Sequence, residues 1–281
     1  MKKLIITENI IDEFRNHLRL EEKSGNTIEK YMRDIKAFWK YLDTGTVTKE
    51  LAISYKENLL SNNYAIRSVN SMIASLNHFF VFAGHEQLKI KSIKEQRQIF
   101  CSEDKELTKE EYTRLLHTAE SKGNKRLHLI LQTICGTGIR ISELKFITVE
   151  AVKKGEALVF CKGKRRPVFI VKALRKKLLL YAAEQKIARG CIFVTRTGKP
   201  VSRTNIWRDM KKLCQSANVN PGKVFPHNLR HLFARVFYGI EKDIAKLADI
   251  LGHSSINTTR IYIISTGTEH RQRMENMCLI L

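Results

Sequence analysis

Apolar residues recur at helical spacing through the first third of the chain. Thr7 can cap a helix whose inward positions are Ile10, Ile11, Phe14 and Leu18. After Ser24-Gly25-Asn26-Thr27, a stronger stripe runs through Ile28, Tyr31, Met32, Ile35, Phe38, Trp39 and Leu42. Thr48 opens a third helix with Leu51, Tyr55 and Leu59 on one face. A fourth carries Val69, Met72, Ile73, Leu76, Phe79 and Phe80 and stops at Gly84. Aromatic rings at this spacing pack a core more readily than they stack on bases. Four helices are expected over 7–83, in an all-α domain spanning 1–84.

The periodicity fades over 85–106, which is expected as an interdomain linker, and a second domain, 107–281, begins at Leu107-Thr108-Lys109-Glu110-Glu111 with Thr108 and Glu111 as a capping box. An apolar helix over Lys125–Cys135 is halted by Gly136-Thr137-Gly138, and Arg140 opens a short helical turn after it. The pattern then changes to short β-type runs, 157–160 and 167–171, joined through Cys161-Lys162-Gly163-Lys164-Arg165-Arg166 as a hairpin with a basic tip. Helices are expected at roughly 173–189 and 203–216, with 192–194 as a third short strand. The stretch 225–263 reads as short helical segments broken at Gly239 and Gly252. The fold class is therefore mainly α with a small antiparallel β-sheet in the second domain.

Charge changes the picture. Lys and Arg number 50 against 28 acidic residues, a net of +22. Residues 1–100 hold 16 basic and 12 acidic side chains, whereas 101–281 hold 34 and 16. An excess concentrated in one domain points to a polyanionic partner, most simply nucleic acid. The six cysteines form no C-x-x-C pair, the N-terminus has no secretory pattern, and no run approaches the ~20 apolar residues of a membrane span. A cytoplasmic, nucleoid-associated protein with reduced thiols is expected. With a first helix starting so near Met1, no separate domain is expected ahead of it.

The chemistry lies in an ordered set: Arg140, Lys162 or Lys164, His227, Arg230, His253 and Tyr262. Two guanidinium forks can neutralise a phosphodiester and hold the charge that builds on a five-coordinate phosphorus. A tyrosine hydroxyl, with a pKa near about 10, needs a base to attack at neutral pH, and His227 suits that role. A lysine on the hairpin can protonate the departing oxygen, and His253 can bond a non-bridging one. Each residue alone has a duller account: a turn anchor for Arg140, solvated hairpin charges for the lysines, an interfacial core position for Tyr262. His227 and His231 stand at i and i+4 like a zinc pair, but Asn228 occupies the place where H-E-x-x-H needs glutamate.

Taken together, the set resembles the tyrosine recombinase family, the phage-integrase and Xer-like enzymes. Thr137-Gly138-Ile139-Arg140-Ile141-Ser142-Glu143-Leu144 is similar to the first-arginine motif, which implies Arg140 as a clamp supported by Glu143. Residues 161–170 look like the hairpin of the catalytic lysine; matching its Lys-Gly pair implies Lys162 as the general acid, and its shortening leaves Lys164 as the alternative. Residues 227–231 resemble H-x-L-R-H, and 251–262 match the closing motif with His253 and the nucleophile Tyr262. The resemblance implies site-specific cutting and rejoining of DNA through a 3′-phosphotyrosyl link, with no metal, ATP or other cofactor. It implies a two-domain C-shaped clamp and a tetramer on two DNA sites, with tail 266–281 docked on a neighbouring protomer or on its own domain. Accessory DNA-bending or directionality proteins fit the same picture. Two other readings are a type IB topoisomerase and a non-catalytic DNA-binding relative.

Overall fold

A computed structural model describes residues 4–42, 45–95, 103–161, 164–263, 271–272 and 274–277. The chain divides at Arg97/Gln98 into two compact units, each with its own hydrophobic core.

The first unit contains α1 (Glu8–Leu20), α2 (Gly25–Tyr41), α3 (Lys49–Ser61) and α4 (Ile66–Phe82). Thr7, Ser24 and Thr48 cap the first three through hydroxyls that accept from the backbone three residues on. The apolar stripes meet in one core in which Phe14, Phe38, Phe79 and Phe80 are fully buried. Truncating any one to alanine costs about 3–5 kcal/mol in such settings. A short antiparallel pair, β1 (Leu4–Ile5) with β2 (Thr46–Val47), adds to the expected helices. Leu4, Ile6 and Val47 are buried, so the pair closes one side of the core.

The unit also runs past Gly84, into the segment expected as linker. Leu88 and Ile90 are buried in its core. Two asparagines of α4 hold that segment as a strand partner would. Asn77 exchanges two hydrogen bonds of 2.9 Å with the Ile90 backbone. Asn70 exchanges two with Ile93, of 2.9 and 2.8 Å.

The second unit holds α5 (Lys109–Ser121), α6 (Lys125–Thr137), α7 (Val149–Lys154), α8 (Lys172–Glu184), α9 (Arg203–Ser216), α10 (Pro226–Glu241), α11 (Ile244–Leu251) and α12 (Ile256–Arg260). Thr108 and Glu111 form the expected reciprocal cap of α5. The hairpin pairs β3 (Glu156–Cys161) with β4 (Lys164–Phe169), in a register running from Glu156 opposite Phe169 to Cys161 opposite Lys164. Residues 192–194 are not its third strand. Ile192 and Phe193 are buried, but only isolated bridges, Thr148 with Cys191 and Val194 with Pro200, pair the backbone there.

The break expected at Gly239 is absent. Helix α10 runs through it and stops only where Lys242 adopts a left-handed φ of 56°. Gly252, by contrast, does end α11, with φ 65°. Beyond the main core lies a small satellite cluster of Ala234, Leu247, Leu251 and Tyr262.

Candidate active site

Helix α6 ends at Gly138, whose φ of 65° reverses the chain and whose missing side chain matters. A Cβ there would stand 2.5 Å from Phe233 Cδ1. The turn delivers Arg140 as the cap of a 3-10 segment, Ile141–Phe146, and brings Glu143 back beneath it. Glu143 is wholly buried. Its Oε2 accepts from the Arg140 backbone N–H and from Arg166 Nη2, both at 2.7 Å, and its Oε1 accepts from Arg140 Nη1 at 3.1 Å. A buried carboxylate with three donors is compensated, and it fixes the direction of Arg140.

Arg166 comes from β4 and also donates to the Ile250 carbonyl at 2.9 Å. It passes Gly252 so closely that a Cβ at 252 would lie 2.4 Å from its Cδ. One arginine thereby fastens the hairpin to the 3-10 segment and to the end of α11. In the sequence Arg166 is one more charge of a basic hairpin; a partner 23 residues away leaves no local signal.

Helix α10 contributes His227 and Arg230 from its first turns. Arg230 is 1% exposed, the largest fully buried side chain of the described residues. It donates to the carbonyls of Gly138 and Leu251, each at 2.7 Å, and through Nη2 to His253 Nε2 at 2.9 Å. Its Nε has no acceptor among the described residues. Burial, then the charge of Arg140, pushes its pKa down to about 10, so it remains a cation at neutral pH.

Because the Arg230 guanidinium can only donate, His253 Nε2 accepts, and the ring proton sits on Nδ1. Nδ1 then donates to Thr259 Oγ1 at 2.8 Å, and Thr259 is itself fully buried. Burial and the charges of Arg230 and Arg140 push His253 down to about 4. His227 is also pushed down to about 4 by burial, His231 and the surrounding arginines, Arg203 among them, although its ring is partly open to solvent. Both rings are neutral at pH 7.

Tyr262, on the turn after α12, is 6% exposed. Its hydroxyl lies 3.4 Å from His227 Nε2. The phenol ring is packed by His231 at 4.1 Å, His253 at 5.0 Å and His227 at 5.3 Å between centroids, with the Arg230 guanidinium 5.9 Å from its centre.

His231 packs its ring on Tyr262. Its Nδ1 faces Glu106 Oε1 at 3.7 Å, and Arg235 Nη1 reaches Glu106 Oε2 at 3.4 Å. Contact with the His231 ring holds the Glu106 carboxyl below the usual carboxylate range. Asn228, in the place where a zinc motif needs glutamate, donates to the Lys105 and Lys223 carbonyls at 2.6 and 2.9 Å. Glu106 falls in the stretch expected as linker; a single acidic residue in a charged run gives no sign of such a contact.

Of the residues expected from sequence, Arg140, Glu143, His227, Arg230, His253 and Tyr262 come together here. Lys162 lies outside the described residues, as does most of the 266–281 tail, and of Lys164 only the backbone is described.

Comparison with known proteins bears on this arrangement. Residues 105–269 match the phage integrase family, and residues 11–87 match the phage integrase N-terminal SAM-like domain. The tyrosine recombinase XerA of Pyrococcus horikoshii is 30% identical over 98% of this chain and 96% of its own. XerA of Thermococcus kodakarensis is 31% identical over 96% of each. XerD of Halalkalibacterium halodurans is 27% identical over 94% of this chain and 95% of its own. Among solved structures, a lambda integrase dimer bound to a COC′ core site superposes with a TM-score of 0.74 at 18% identity, covering 93% of this chain and 96% of that one. The XerH recombinase bound to its difH substrate, in a pre-cleavage complex, gives 0.71 at 18%, covering 98% and 85%.

Proposed function

The chain belongs to the phage integrase family, the tyrosine recombinases that break and rejoin DNA at specific sites, and on that premise we propose that Tyr262 is the strand-cleaving nucleophile and that Arg140, His227, Arg230 and His253 are its phosphate-binding and proton-handling partners. The observation that carries this reading is the Tyr262 hydroxyl 3.4 Å from a neutral His227 Nε2, beside a buried arginine with an orphan N–H.

In this reading Tyr262 Oη attacks the scissile phosphorus and passes its proton to His227 Nε2. Arg140 and Arg230 bind the non-bridging oxygens as their charge grows. A hairpin lysine, Lys162 or Lys164, protonates the 5′ oxygen as the P–O bond breaks, leaving a 3′-phosphotyrosyl link and a free 5′-hydroxyl. Attack by a partner strand's 5′-hydroxyl reverses each step, so the ester energy is kept and no ATP is consumed.

His253 takes part by changing its tautomer. A phosphate that draws Arg230 away from Nε2 leaves that nitrogen to donate to a non-bridging oxygen once the proton shifts. The Thr259 hydroxyl, which can accept or donate, then turns to donate to Nδ1.

The partner is double-stranded DNA, bound by both units of the chain chiefly through phosphates, with binding that weakens steeply with salt. The lambda integrase dimer on its core site and the lambda integrase tetramer on a Holliday junction support an assembly of several copies here. The tail 266–281 is proposed to join neighbouring protomers. If a chain lacking 268–281 assembles synaptic complexes normally, that role is excluded.

The test of the nucleophile uses a nicked suicide substrate and a denaturing gel. Wild type forms a covalent protein–DNA adduct, and Tyr262→Phe forms none while retaining DNA binding. An adduct that persists in Tyr262→Phe overturns the assignment. Relaxation of supercoiled plasmid lacking any recombination site would favour topoisomerase activity instead.

A further inference from the structure

Away from this chemistry, the first unit carries a cluster that strand transfer does not use. Helix α1 places His17 at its last turn and Glu21 as its C-terminal cap, four residues on and so on the same face. His78, from α4, meets them there. His78 Nε2 lies 2.9 Å from Glu21 Oε2, and His17 Nε2 lies 3.7 Å from Glu21 Oε1. One donor atom from each of the three residues falls within 4.8 Å of the others. Among the described residues, no other group of three or more His, Cys, Asp or Glu side chains converges in this way.

The two imidazoles are aimed. The His17 ring packs on Phe82 at 4.9 Å, and the His78 ring sits 5.6 Å from Tyr31 and 5.8 Å from Phe14. These aromatic side chains belong to the core or pack against it, so each ring has a packed flank and a nitrogen facing the carboxylate. The three side chains keep 38%, 33% and 29% exposure, enough for an ion to enter from solvent.

Two imidazole nitrogens with one carboxylate oxygen make a donor set for a borderline divalent ion. Zinc bonds of about 2.0–2.1 Å in a tetrahedron separate neighbouring donors by about 3.3 Å. The observed 2.9 and 3.7 Å run to the two different oxygens of the Glu21 carboxylate, and one donor atom from each residue lies within 4.8 Å of the others, so rotamer changes would have to draw the three donors in around one ion. One group opposes a cation: Lys23 Nζ, 3.7 Å from Glu21 Oε2. Its long stem is 38% exposed and can swing into solvent.

We propose that His17, Glu21 and His78 form a zinc-class divalent metal site, with water as the fourth ligand, that staples the C-terminal end of α1 to α4. The site goes beyond the recombination reading and does not depend on it. The competing account is a plain His–Glu ion pair, which predicts no response to metal.

Metal binding by the purified full-length chain separates the two. Co2+ should give the visible absorption of a tetrahedral site at one ion per chain, and Zn2+ should bleach it. Zn2+ should also raise the unfolding midpoint of the wild type in a saturable way. His78→Ala and the nearly isosteric Glu21→Gln should each weaken binding by at least about tenfold and remove the midpoint shift. His227→Ala should leave both readouts unchanged. The proposal is overturned if wild type takes up no Co2+ or Zn2+, or if Glu21→Gln, folded by circular dichroism, binds them as wild type does.

Discussion

Glu143→Gln isolates what the buried carboxylate does for Arg140. The amide keeps the shape of the side chain, so no cavity forms. It has one acceptor oxygen where the carboxylate had two, and three donors compete for it. The oxygen should take the Oε2 position, where the Arg140 N–H and Arg166 Nη2 both converge at 2.7 Å. The amide NH2 then faces Arg140 Nη1 across 3.1 Å, donor against donor. The Arg140 side chain is therefore expected to swing out while Arg166 stays. Losing one charge-assisted hydrogen bond and weakening two should cost about 2–4 kcal/mol of stability. In a unit of this size that lowers the melting temperature by roughly 5–15 °C. A misdirected guanidinium should slow cleavage by about 10²-fold, the scale of losing one preorganised donor. Single-turnover adduct formation on a suicide substrate reads the rate, and a mobility-shift titration reads binding, which should stay within a few fold. Cleavage within threefold of wild type would show that Glu143 does not aim Arg140.

Three further expectations concern the hairpin lysines, the two buried-site histidines and Gly252. Comparing Lys162→Ala with Lys164→Ala on a 5′-phosphorothiolate, whose leaving group needs no proton, identifies the general acid as the variant that this substrate rescues; rescue of neither would remove both lysines from the role. In the free protein, NMR titration should show His227 and His253 protonating well below the ordinary value of 6.5, near 4. Their folded pKa values lie below the unfolded one, so the unfolded state binds more protons in that interval. Stability should therefore be flat above about pH 6.5 and fall as pH drops toward 4, and urea midpoints that do not fall over that range would contradict it. Gly252→Ala must fit a Cβ 2.4 Å from the Arg166 Cδ at φ 65°; it should lose about 2–4 kcal/mol and cleave more slowly, and an unchanged melting temperature would refute the clash.

The helical periods can be read from the chain because each helix buries one face, and that amphipathic pattern is written locally. The motif residues are legible for a different reason: their types and order are constrained by phosphate chemistry. Contacts set only in three dimensions are not legible. Arg166 looks like its lysine and arginine neighbours until Glu143 and Ile250 are brought to it. Gly239 signals a break, yet it lies on an open helix face where an added Cβ would meet nothing within 4 Å, and the helix carries it through. The actual stop, Lys242, is a residue type that seldom adopts left-handed φ. Residues 85–95 lack a helical period because only Glu86–Leu88 turns, as a short 3-10 segment, while asparagine side chains rather than a strand pair the backbone of Ile90 and Ile93.

The satellite cluster beneath Tyr262 has a consequence for when the enzyme can act. Ala234, Leu247, Leu251 and Tyr262 form a group apart from the main core, and α12 has only five residues. The segment beyond Gly252 contributes only Tyr262 and the partly buried Ile263 to that group, which should make it a separate cooperative element, able to open while α6 and the main core stay closed. Amides around 256–263 should then exchange with solvent far sooner than those of α6. Readiness to cleave becomes a local opening equilibrium of the closing segment, one that binding partners can shift without touching the stability of the domain that carries it.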